Sequence, residues 1–177
     1  GANNVTGSVA IGYNTLTAVT SGDLNVAIGY IAGDAINTGQ QNVALGFEAL
    51  SAATTVTGAT ALGAGALGDG NVTGDANYVT AVGLAALKAM TTGVGNVAVG
   101  AFTGDSITTG AYNTIVGHQA LTSAGTGVDN NTAVGYRAGY KLGDDGGSDH
   151  SEQNIAIGYL AMGGGHDTVA NNTSNFN

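Results

Sequence analysis

Apolar and polar positions alternate in one short pattern that recurs along the chain, Asn25-Val26-Ala27-Ile28-Gly29-Tyr30. Its copies end in Gly12, Gly29, Gly46, Gly63, Gly83, Gly100, Gly117, Gly135 and Gly158. The steps between these glycines are 17, 17, 17, 20, 17, 17, 18 and 23 residues, a 17-residue period with three insertions. The first position is Asn in six of nine copies, and the third is Ala in all but one, where Ile115 stands. The second and fourth positions are mainly Val, Ile, Leu or Thr. Branched and aliphatic residues therefore alternate with small ones at period two, which predicts a short strand in each unit.

An aromatic follows the glycine in five copies: Tyr13, Tyr30, Phe47, Tyr136 and Tyr159. Two positions further sits Ala or Thr, followed by Leu or Gly, as in Ala49-Leu50 and Ala32-Gly33. Later in the unit Gly22, Gly39, Gly93, Gly110 and Gly127 each follow a hydroxyl residue. Each unit thus reads as strand, bend, second short extended segment and glycine turn. A unit this short cannot bury its own apolar face, but stacked units share a continuous core. Seventeen residues is too short for helical repeats, and the leucine-rich pattern L-x-x-L-x-L is absent. The expectation is an all-β fold, a parallel β-solenoid or β-roll of about nine 17-residue coils.

One domain spans 1–177, with motif copies over 8–162, an insertion loop at 140–153 and a cap or truncated coil at 163–177. Strands about 4.8 Å apart make a rod roughly 40–45 Å long. The recurrent Asn is expected to stack into a ladder of side-chain amides. The structural repeat positions are then Asn25, Gly29, Asn42, Gly46, Asn96, Gly100, Asn113, Gly117, Asn131, Gly135, Asn154 and Gly158.

Composition narrows the function classes. The chain has 32 Gly, no Pro and no Cys, and only 6% aromatic residues, so its core must be thin and filled by small side chains. Only Lys88, Arg137 and Lys141 are cationic, against 12 acidic residues and a net charge of -9. A nucleic-acid partner needs a basic face to neutralise phosphates, so that class is excluded. An anionic membrane surface is disfavoured for the same reason, and no apolar run is long enough for a spanning helix. Without cysteine there is no disulfide framework, thiolate nucleophile or cysteine-based zinc site. No signal peptide is visible, and a chain starting at Gly1 reads as a mature product or an excised segment.

The repeats Asn-Val-Ala-Ile-Gly-Tyr-x-Ala-Gly and Asn131-Thr-Ala-Val-Gly-Tyr-Arg-Ala-Gly139 resemble two related groups. One is the head repeat of trimeric autotransporter adhesins of the YadA type, with its S-V-A-I-G core. The other is the N-T-A-x-G-Y-x-A-L repeat of phage tail-fibre and bacterial surface proteins. The resemblance covers Ser8 to about Met162. It implies a parallel, left-handed β-roll, usually a homotrimer, displayed outside a cell or on a virion and used for adhesion. The autotransporter repeat is typically shorter than 17 residues, so the tail-fibre or surface-protein branch is the better match.

Candidate chemistry is sparse. Asp144, Asp145, Asp149, His150 and Glu152 could hold a hard cation through oxygen ligands, but neither the helix–loop–helix calcium pattern nor the calcium β-roll nonapeptide is present. A solvated acidic loop accounts for the same residues. His118, His150 and His166 could form a metal site, although His118 simply fills the aromatic slot after its glycine. No nucleophile, base and orienting group are recognisable as a set, so no enzymatic activity, catalytic residue or cofactor is expected. A hydroxyl file at Ser21, Thr38, Thr55, Thr92, Thr109 and Thr126 could order water as ice-binding solenoids do, or could satisfy the turn before glycine.

The expected function is therefore a non-enzymatic, extracellular structural or adhesive repeat protein, a trimeric fibre or adhesin-head β-roll. A filament subunit stacking head to tail is the first alternative, and an ice-binding solenoid the second. The expected partners are copies of the same chain and a cell-surface glycan or protein. Contact residues are sought at Tyr136, Arg137, Tyr140, Asp144, Asp145, Asp149 and His150. The aromatic file could instead serve chain-to-chain packing.

Overall fold

The computed structural model describes residues 6–70, 72, 76–122, 125–142 and 152–163. Its strands are β1 (Val9–Ile11), β2 (Val26–Ile28), β3 (Val43–Leu45), β4 (Thr60–Leu62), β5 (Thr80–Val82), β6 (Val97–Val99), β7 (Thr114–Val116), β8 (Thr132–Val134) and β9 (Ile155–Ile157). They form one sheet in chain order, every pair parallel. The chain is thus a β-solenoid with one strand per coil. Register is kept across the insertions, where Ala61 still faces Ala81 and Ala133 still faces Ala156. The insertions therefore leave the register of the flanking strands unchanged.

The central residue of each interior strand points inward, and Ala27, Ala61, Ala81 and Ala98 are fully buried. The flanking Val, Ile, Leu and Thr residues point outward. At the sheet, alanine methyl groups fill the narrow interior in every interior coil but that of β7, where Ile115 is fully buried.

The second extended segment expected in each unit is not a strand. Past the motif glycine the chain runs through turns and bends. The residues two and four places after the glycine adopt left-handed conformations even when they are not glycine. Examples are Glu48 (φ 53°) with Leu50 (φ 54°) and Ala85 (φ 54°) with Leu87 (φ 49°). A left-handed residue turns the chain too sharply to continue a pleated strand, and costs on the order of 1 kcal/mol. Bonds between coils offset that cost: Leu50 N–H donates to Ala66 O at 2.9 Å and Glu48 N–H to Tyr30 O at 2.9 Å.

The interior opposite the sheet is filled by a size exchange. Leu50 and Leu67, at the fourth place after their glycines, are buried and the seventh residue is small, Ala53 and Gly70, whereas in the coil of Leu87 the seventh is Met90 and both are buried. Where the fourth is Gly, as at Gly33, Gly104 and Gly139, the seventh is Ile36, Ile107 or Leu142, and all three are buried. A Cβ on Gly104 would lie 3.1 Å from Ile107 Cδ1 and 2.9 Å from Leu87 Cδ2. The two positions share one volume. Gly104→Leu alone should therefore cost about 2–3 kcal/mol by overpacking, while Gly104→Leu with Ile107→Ala should stay within roughly 1.5 kcal/mol of the parent. Denaturant midpoints of the single and double variants measure this coupling.

The insertion before β8 also shifts one apparent equivalence. Gly93, given a Cβ, would meet Gly110 O at 2.1 Å, and Gly110 would meet Val128 O at 2.3 Å. Val128, not Gly127, therefore takes the turn position, and Thr126 is out of step with Thr109.

Candidate functional site

The sheet is held from inside by the expected amide ladder. Asn42 Nδ2 donates to Asn25 Oδ1 at 3.0 Å, and Asn113 Nδ2 donates to Asn96 Oδ1 at 2.9 Å. Asn131 and Asn154 continue the second run, at 3.1 and 3.0 Å. Each carbonyl also accepts the backbone N–H of the next coil, as Asn96 Oδ1 does from Asn113 N at 2.9 Å. At Asn25, Asn42, Asn96 and Asn113 the free edge of the amide reaches across the interior to a turn carbonyl, as Asn25 Nδ2 does to Gly39 O at 2.8 Å and Asn96 Nδ2 to Gly110 O at 2.7 Å. The ladder is broken at Ala59 and Val79, both buried.

The motif glycines set how closely coils approach. At Gly29, Gly46, Gly100, Gly117 and Gly135 the φ angles lie between 132° and 141°. A Cβ on Gly29 would sit 2.3 Å from Gly46 O, and one on Gly117 2.3 Å from Gly135 O.

Outside this frame lies the broadest apolar feature. The first strand positions carry Val or Ile in five coils and Thr in four, while the third carry only Val, Ile or Leu. Neither file holds an ionisable residue. Val43, Leu45, Val97 and Val99 are between 37% and 40% exposed, and the end residues Ile155 and Ile157 are 69% and 66% exposed. Sequence alternation left open which face was buried. Both sets of positions are apolar or small, so no polar side marks the outside.

Beside these files run two aromatic stacks. Tyr13, Tyr30 and Phe47 stack at 5.3 and 5.4 Å, and His118, Tyr136 and Tyr159 stack at 5.6 Å each. The interruption spans Ala64, Leu84 and Ala101. His118 occupies the aromatic slot as a stacked ring, with Phe102 against its edge. Each ring face is covered by the next ring, so interior members offer edges to solvent. This suits axial stiffening better than a platform for a flat sugar face.

Tyr136, Arg137 and Tyr140 are brought together. The Arg137 guanidinium lies 5.2 Å from the Tyr136 ring centre and 4.9 Å from that of Tyr140. Its Nε donates to Gln119 Oε1 at 2.7 Å, a partner one coil earlier that sequence spacing did not single out. The remaining guanidinium nitrogens have no bonded partner among the described residues. The group can accept a planar oxyanion. Asp144, Asp145, Asp149 and His150 lie outside the described residues, as does His166. Glu152 is exposed, and its backbone carbonyl accepts from Asn154 Nδ2 at 3.2 Å. Among the described residues no three of His, Cys, Asp and Glu are grouped to hold a metal.

Two carboxyls are perturbed. Burial pushes Asp34 up, against backbone N–H groups of Asp34 and Ala35, and Glu48 adds to the rise. Its Oδ1 is buried without a hydrogen-bond partner. Burial likewise raises Asp105, opposed first by the Ser106 hydroxyl. A raised carboxyl favours the folded state when protonated. Its stabilising contribution is therefore present below the ordinary aspartate range and lost as pH rises through the raised value. Asp34→Asn should increase stability at neutral pH and flatten this slope, as thermal midpoints at pH 4 and pH 7 would record.

The hydroxyl file is single and interrupted. Thr109 Oγ1 accepts from Gly127 N at 3.3 Å, whereas the Ser21, Thr38 and Thr55 hydroxyls make no bond among the described residues. The neighbouring Thr20 and Thr91 hydroxyls are tied to Asn37 O and Thr108 O. No protein-family model matches this chain, and neither the curated proteins nor the solved structures contain a significant match to it.

Proposed function

We propose that the protein is a non-enzymatic structural or adhesive fibre element, displayed outside a cell or on a virion, in which three parallel copies pack lengthwise through the outer sheet face. The observation that carries this reading is the outward sheet face running the length of the rod, one file wholly aliphatic and the other aliphatic except for Thr in four coils. Large contiguous apolar surface on a soluble chain marks an interaction site. In projection the face measures roughly 40 Å by 10–15 Å. With side-chain relief that approaches the ~800 Å² per partner of a stable interface. A chain of net charge -9 repels its own copies, and this face is the broad one without ionisable groups. The resemblance to trimeric adhesin heads and tail-fibre repeats supports the same arrangement. In it the Arg137 cluster stays at the rim, where an acidic surface glycan or protein could be met.

Sedimentation equilibrium with electron microscopy tests the proposal. A discrete three-chain particle supports it. Long threads would favour head-to-tail filament assembly, and a stable monomer would remove both. Val99→Lys points outward and should cost the single chain no more than about 0.5–1 kcal/mol. Across a threefold interface it would place like charges in apolar surroundings and dissociate the trimer.

A further inference from the structure

The first outward file is not uniform. In coil order it reads three Val, two Thr, Val, two Thr and Ile, so Thr60 and Thr80 form one pair and Thr114 and Thr132 another. Their hydroxyls make no hydrogen bond among the described residues, although side chains elsewhere in the coils bond axially at 17- or 18-residue separation. These are therefore polar groups on an apolar face with their bonding capacity unused inside the chain.

We infer that Thr60, Thr80, Thr114 and Thr132 fix the axial register of identical copies packed on this face. This rests on the parallel assembly proposed above. With a symmetry axis along the rod, each coil meets the same coil of its partners. All four hydroxyls then meet hydroxyls, and the aliphatic coils meet aliphatic coils. A slip of one coil puts Thr60 against Val43 and Thr114 against Val97. A slip of three puts Thr60 and Thr80 against Val9 and Val26. The rest of the frame gives no such discrimination, because coils of equal rise present nearly equal aliphatic files at every step. Each hydroxyl buried against Val instead of Thr disfavours the slipped form about tenfold. The fitting partner is thus a second copy of this chain, in parallel and unshifted.

The chain has no cysteine, so single cysteines report register directly. Val43→Cys and Val97→Cys lie in the same file, three coils or about 14 Å apart along the axis, beyond disulfide reach. The two variants are co-expressed with different tags, purified as oligomers and oxidised. Same-site links should dominate, with mixed 43–97 links below about one-tenth of them. In the background Thr60→Val, Thr80→Val, Thr114→Val, Thr132→Val the oligomer should persist, and mixed links should rise several-fold. The pair Thr60→Val, Thr80→Val is the control: a slip of three then sets Thr114 and Thr132 of one copy against the substituted positions 60 and 80 of the next, so mixed links should stay as low as in the parent, and a rise there would overturn the hydroxyl rule. An oligomer whose links stay same-site in both the parent and the fourfold variant would overturn the register role while leaving the assembly intact. An oligomer with no links would place the interface elsewhere and overturn it too. A monomer would remove both the register role and the proposed assembly.

Discussion

Gly83→Ala is expected to abolish the native fold of the central coils. Gly83 has φ 132°, a region almost closed to residues with a side chain. A Cβ there would lie 2.4 Å from Gly100 O and 2.6 Å from Gly100 C, both backbone atoms of the next coil. Relief requires the coils to separate, and the bonds that would be lost include Gly100 N–H to Val82 O at 2.8 Å and Thr80 N–H to Asn96 O at 2.8 Å. The cost should exceed about 4 kcal/mol, the range reached only when a specific structural element fails. Gly158→Ala supplies the control. Its φ is 120°, but nothing among the described residues lies within 4 Å of an added Cβ. It should show conformational strain alone, about 1–3 kcal/mol. Circular dichroism and guanidinium titration of the two variants would separate steric from conformational effects. Equal losses would refute the steric account.

The second large effect is expected at Asn113→Leu. The Asn113 amide donates to Asn96 Oδ1 at 2.9 Å and to Val128 O at 2.6 Å, and its carbonyl accepts from Asn131 N at 2.9 Å and Asn131 Nδ2 at 3.1 Å. Leu has the same branched outline, with two methyl groups in place of the carbonyl oxygen and the amide nitrogen, and makes none of these bonds. The Asn131 N–H loses its acceptor and Val128 O its donor, both in the interior. Each buried polar group left unsatisfied costs about 1–3 kcal/mol, so a total near 4 kcal/mol is expected. Hydrogen exchange at the Asn131 amide gives a local readout, since that proton should lose protection first. Val79→Ala at the equivalent place in the broken part of the ladder should cost only about 2 kcal/mol, from packing alone.

The sequence carried the period, the parallel stacking and the amide ladder, because each is written once per coil. His118 was also legible as a ring in an aromatic slot. Three features were not. The inward side of each strand was hidden because Ala27 and its neighbours Val26 and Ile28 are all apolar. Size decided the outcome: a narrow interior takes the methyl group and leaves the branched chains outside. The left-handed Leu50 and Leu87 were hidden because leucine carries no signal for that conformation. The exchange between Leu50 with Ala53 and Gly104 with Ile107 was present in the letters. It becomes readable only when the fourth and seventh positions are known to meet across the core. Spacing forward from Gly117 reaches Gly127, one residue short of the turn position that Val128 holds. The insertion lies inside that span, and counting back from Asn131 reaches Val128.

The gap in the amide ladder at Ala59 and Val79 coincides with the gap in the aromatic stacks at Ala64, Leu84 and Ala101. Backbone bonds and apolar packing join coils throughout, with Val56, Leu67, Val72 and Met90 buried in the middle, but only the earlier and later coils add side-chain amide bonds. Apolar cohesion weakens on cooling, whereas hydrogen bonds between amides do not share that dependence. The rod is thus a thermal composite. Its waist draws a larger share of its cohesion from apolar contact than its amide-linked segment does, so chilling should weaken the waist most, and bending in the cold should concentrate there.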